Sequence, residues 1–150
     1  MDEHRRLHAA KTATYLRGVQ QRARRFALAA AIAEERKNES NVQDRRDAKE
    51  AMFVQWSTLL GQSFLDQDAI KRFAENTVRQ EFALNAAQAE LDTATRERRL
   101  ANDVAGEAQV RFRQVAQLLQ RLRKRARRRR DERALQALED RVAYDCGDRA

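Results

Sequence analysis

The sequence predicts an all-α protein: a long antiparallel two-helix coiled-coil hairpin whose second helix ends in an overhang. Three observations predict it. The 150 residues include no proline and four glycines, and 36% are charged, which leaves little from which to build turns or strands. A 3.5-residue apolar repeat occupies most of the second half of the chain. One short stretch, GQSFLD at residues 61–66, carries both a helix-stop and a helix-start signal. Large apolar residues are few and thinly spread, so the helices are expected to bury a narrow seam rather than a globular core.

Helix 1 is expected over about residues 3–60. Leu16, Val19, Ala23, Phe26, Ala30 and Ala33 alternate in steps of three and four and form its expected seam. ERKNESNVQDRRD, residues 35–47, then offers Val42 as its one apolar residue, and hydrophobicity returns at Met52, Phe53, Trp56, Leu59 and Leu60. The turn is expected at 61–63. Gly61 suits the left-handed residue that closes a helix, and Ser63 with Asp66 resembles a capping box in which an acid replaces the usual Glu. Phe53, Trp56, Phe64 and Phe73 crowd around this turn, either as a small core or as an exposed docking patch.

Helix 2 is expected over about 64–142, with a frayed tail at 143–150, the whole forming a single helical-hairpin domain. Its seam reads Ile70, Phe73, Thr77, Gln80, Leu84, Ala87, Leu91, Ala94, Arg98, Ala101, Ala105, Ala108, Phe112, Val115, Leu119, Leu122 and Ala126. Only Thr77, Gln80 and Arg98 break the apolar pattern. A helix of that length would extend roughly 85 Å.

A turn near Gln62 sets Trp56 and Met52 beside Ile70 and Phe73, Leu7 beside Leu118, and Gly18 level with Gly106, both glycines off the seam. Lys124 then pairs with the first residue, and everything beyond it is expected to project without a partner. Two extended chains joined through the same seam form the competing arrangement. The hairpin is preferred because the two apolar halves have similar reach and the turn signals lie between them. It predicts a monomer of 17.4 kDa.

Several chemistries find no support. There is no GxxxxGK[ST] loop, and four scattered glycines cannot cradle a phosphate. His4 and His8 stand one helical turn apart without an obvious third ligand, so no metal is expected. Carboxylates alternate with arginines, as in EERK and TRERR, which reads as a solvated, salt-bridged helix face. The lone Cys146 has no base arranged beside it and no internal partner, which suits a reducing, cytoplasmic compartment. FALAAAIA, residues 26–33, is too short to span a bilayer. The expectation is a non-enzyme without cofactors or membrane insertion.

The strongest feature is RLRKRARRRR, residues 121–130, with eight cations in ten positions. Through Arg133 the window carries +7 of the chain's net +8. Such a helix can neutralise phosphates, lie on anionic lipid, or dock on an acidic protein surface. No aromatic residue is interleaved with the arginines, so base stacking is unsupported. Leu135, Leu138 and Val142 follow as a short apolar stripe, which suits a protein partner better than nucleic acid.

Assembled in this way, the chain resembles the stalk proteins of type III secretion, the YscO/HrpO family and its flagellar relative FliJ. The likeness covers about residues 17–130, and its most specific part is WSTLLGQSF at the turn followed by RFAENTVRQEFALNAAQAEL. The resemblance implies a cytoplasmic coiled coil, similar to that of the rotary ATP synthase γ subunit and peripheral to the inner-membrane export apparatus. It implies association with the hexameric export ATPase, linkage of that ATPase to the export gate protein, and in some members binding of secretion chaperones. On that basis Arg121, Arg123, Lys124, Arg125, Arg127, Arg128, Arg129 and Arg130 are assigned to ATPase contact. Phe73, Thr77, Gln80 and Leu84 are assigned to gate contact, although Thr77 and Gln80 make that face polar. A basic coiled coil binding nucleic acid non-specifically and a homodimeric scaffold are the alternative readings.

Overall fold

The computed structural model describes the backbone of residues 2–61 and 66–147 and the side chains of residues 4–61 and 66–142. The fold is an all-α helical hairpin of two helices, α1 (Asp2–Leu60) and α2 (Gln67–Gly147). Among the described residues there is no strand. Threonines inside the helices return their hydroxyls to their own backbone, as Thr14 Oγ1 does to the Ala10 carbonyl at 2.7 Å and Thr77 Oγ1 to that of Phe73 at 2.9 Å. A polar seam position is thereby satisfied without a partner from the other helix.

The helix ends differ from expectation in three places. Gly61 is not left-handed, because no described glycine has a positive φ. Its N–H bonds the Ser57 carbonyl at 3.3 Å, which simply continues the helical pattern by one residue. Asp66 is itself the N-cap of α2 rather than the third residue of a capping box. Its carboxylate accepts the Asp68 N–H at 3.1 Å, and its carbonyl accepts from Ala69 and Ile70. Helix 2 therefore begins at Gln67 instead of 64, while Ser63 and Phe64 lie outside the described residues. At the other end α2 continues past 142 to Gly147, since no glycine or proline interrupts it before that point.

The packing divides into a turn unit, Arg24–Ala105, and a terminal unit, Met1–Ala23 with Gly106–Ala150. In the turn unit the α2 seam falls where the repeat placed it. Every seam position from Phe73 to Ala105 is buried or half-buried, and Ile70 is the one left exposed, at 41%. Facing it on α1 are Leu28, Glu35, Val42, Lys49 and Trp56, a strict seven-residue series. Trp56 stacks on Phe73 with ring centroids 4.2 Å apart, and Phe53 meets the same ring edge-on at 6.1 Å. Lys49 Nζ reaches Glu81 Oε1 at 3.0 Å, and Arg98 Nε lies 2.6 Å from Glu35 Oε2. The Arg98 N–H is not aligned along that line, so the pair is a charge contact rather than a directed hydrogen bond.

In the terminal unit Ala108, Phe112, Val115, Leu119, Leu122 and Ala126 are buried or half-buried, again as the repeat predicts. Leu7, Ala10, Thr14, Gly18 and Gln21 face them from α1. The buried Gln21 donates its amide Nε2–H to Gln109 Oε1, which keeps a polar group inside a seam of small residues. Gly18 packs against Phe112, six residues from the Gly106 expected at its level, and Gly106 itself is exposed. Gly18 is therefore on the seam. Leu7 and Leu118 do not pair either: Leu119 is the buried residue and Leu118 points outward.

The expected α1 seam is corrected outright. Leu16, Val19, Ala23, Phe26, Ala30 and Ala33 are all exposed, Phe26 at 77%. They sit two residues out of step with the buried series, which turns them about 200° around the helix, onto its outer face. The reason is continuity. Beyond Ala33 the same spacing meets Lys37, Ser40, Asp44 and Asp47, whereas the buried series continues from Leu7 to Trp56.

Candidate partner-binding surfaces

All eight cations of residues 121–130 are exposed, while Leu122 and Ala126 between them are half-buried. The helix thus turns a cationic outer face to solvent and keeps its seam against α1. Extending the Gly18–Phe112 and Gln21–Gln109 register along the terminal unit sets Lys124 level with Arg6 rather than with the first residue. Arg125, expected beyond the pairing, therefore joins Arg121, Arg123 and Lys124 in the paired stretch. Burial ends at Ala126, and from 127 to 142 every side chain is exposed, including Leu135, Leu138 and Val142.

This register adds α1 to the basic surface, which the sequence reading had confined to α2. Lys11, Tyr15, Gly18, Arg22, Leu119 and Arg123 line one shallow groove, with cations contributed by both helices. Only the register could have found them, because nothing local marks Lys11 or Arg22 as sharing a groove with Arg123.

The four residues assigned to gate contact are placed together, but inward. Phe73, Thr77, Gln80 and Leu84 are half-buried seam residues, and Phe73 is held between Phe53 and Trp56. Gln80 Oε1 is buried without a hydrogen-bond partner. On α2 the exposed large apolar residues between Phe73 and Leu84 are Val78 and Phe82.

His4 and His8 are exposed, and among the described residues no three His, Cys, Asp or Glu side chains gather as a metal set would. The Cys146 side chain lies outside the described residues. No helix among them is long and apolar enough to cross a membrane. Comparison with family models, curated proteins and solved structures returns no match.

Proposed function

We propose that this protein is a non-enzymatic stalk of a type III protein export apparatus, binding the hexameric export ATPase and coupling it to the export gate. The observation that carries this reading is the exposed cationic face of α2 at residues 121–130, on a helical hairpin; the sequence WSTLLGQSF resembles the corresponding stretch of the stalk family. An arginine-rich helix end of this kind is suited to an acidic protein surface, where opposite charge speeds and orients docking. Gate contact at the level of Phe73, Thr77, Gln80 and Leu84 would be made by the exposed Val78 and Phe82, since the four themselves face the seam.

The test is co-purification with the export ATPase of the same organism over a salt series, with a competing DNA duplex. A complex that survives the duplex and raises ATP turnover or promotes hexamers supports the stalk role. Replacing Arg123, Lys124, Arg127 and Arg128 with Gln should weaken that complex and flatten its salt dependence. Absence of the complex together with strong, salt-dependent DNA binding would replace the stalk reading with that of a non-specific nucleic-acid binder.

A further inference from the structure

Within the terminal unit, the outer face of α2 carries a second three-four series in which charge and apolar character are segregated. Arg121, Lys124, Arg128, Asp131, Leu135, Leu138 and Val142 follow one another in alternating steps of three and four. The first three lie two residues beyond the seam residues Leu119, Leu122 and Ala126, so the series is turned about 200° from the seam, away from α1. All seven are exposed, Leu135 at 60%, Leu138 at 58% and Val142 at 62%. Because α2 runs uninterrupted to Gly147, cations and aliphatic residues share one stripe of roughly 32 Å. The seam series behaves differently. Past Ala126 it meets Arg129, Arg133, Gln136 and Asp140, so apolar character passes from the seam face to the outer face.

We propose that this stripe docks an amphipathic helix of a different protein, one that presents carboxylates to Arg121, Lys124 and Arg128 and aliphatic side chains to Leu135, Leu138 and Val142. Charge decides against a second copy of this chain. Parallel pairing sets each cation against itself. Antiparallel pairing about Asp131 sets Arg121, Lys124 and Arg128 against Val142, Leu138 and Leu135, which desolvates charge without a counter-ion. A lipid surface also fits poorly. An interfacial helix needs an apolar face along its length, whereas here cations occupy half of the face itself. Nucleic acid would engage the cations and leave the three aliphatic residues without a role. A helix with acids in one half and aliphatic residues in the other matches both halves at once. Asp131, the one acid of the series, stands at the boundary between them.

This inference deepens the reading of the basic run as a protein-docking surface and rests on it, by naming which cations act together and what chemistry they meet. Its test contains no ATPase. Failure here leaves the ATPase complex to its own measurement, and failure of that complex leaves this one standing.

The probe is a labelled synthetic helix of the stripe's length, with three glutamates and then three leucines at the three-four positions, titrated with the full chain and read by fluorescence anisotropy. It should bind at least about tenfold tighter than a helix of the same composition in which glutamates and leucines alternate. Leu135→Ser with Leu138→Ser should weaken binding by about tenfold or more and leave the unfolding midpoint unchanged, since both side chains are exposed. Lys124→Gln with Arg128→Gln should weaken it more than Arg130→Gln with Arg133→Gln, although both pairs remove the same charge and only the first lies on the stripe. Equal affinity for the two helices, equal effects of the two charge pairs, or no binding at low salt overturns the proposal. So does tighter binding to phosphatidylglycerol–phosphatidylcholine vesicles that is lost with the two leucines, which would assign the face to lipid.

Discussion

Gly18 and Gly106 both lie within helices, and their surroundings give them opposite roles. A Cβ on Gly106 would meet nothing within 4 Å, whereas one on Gly18 would stand 3.4 Å from Phe112 Cε2. Gly106→Ala should therefore gain the difference in helix propensity, about 1 kcal/mol, seen as a higher urea midpoint. Gly18→Leu should lose stability, because the added atoms enter the space of the Phe112 ring. Gln80 is a second residue-scale liability. Its Oε1 is buried without a partner in a seam position, so Gln80→Leu should stabilise by about 1–2 kcal/mol in the same assay. A neutral or destabilising result would mean that the amide is satisfied in solution. The pair Glu35 and Arg98 is different, since each charge has the other within 2.6 Å and removal of one would strand its partner.

At the scale of the element, the two helices read differently from their own sequences. Helix α2 was legible throughout: every seam position from Phe73 to Ala126 is buried or half-buried. Its repeat persists for the whole paired length and has no competitor on another face. Helix α1 has two candidate faces, and the more apolar one points outward. Its buried face carries Thr14, Gln21, Glu35 and Lys49, which looks solvated until their partners are known. Thr14 bonds its own helix, Gln21 bonds Gln109, and the two charged residues meet Arg98 and Glu81. None of those pairings can be deduced from the periodicity of α1 alone. The start of α2 rests on a single residue. Asp66→Ala should cost about 1 kcal/mol through loss of the cap to the Asp68 N–H, and Asp66→Asn should retain most of it. Equal loss in both variants would assign the effect to charge near the helix terminus instead.

For the molecule as a whole, charge and apolar surface are distributed to different places. Residues 121–130 concentrate positive charge on one exposed helix face, and Leu16, Val19 and Phe26 concentrate exposed apolar area on another helix. Because the four cations Arg123, Lys124, Arg127 and Arg128 are exposed, their replacement by Gln should leave the unfolding midpoint within a degree or two while weakening an acidic partner's binding. A large loss of stability in that variant would make the run structural.

The amino-acid sequence by itself determined that the chain is all-α, that its reversal lies just after Leu60, and which face of α2 is buried. Those follow from local terms: the absence of proline, the scarcity of glycine, and an apolar repeat long enough to leave one face available. The tertiary structure decided which face of α1 meets that seam, the register of six residues that brings Gly18 to Phe112, and hence which arginines stand beside α1. Those are pairwise choices. A polar residue is tolerated in the seam only when a particular partner stands opposite it, and that energy does not exist until the two helices are packed together.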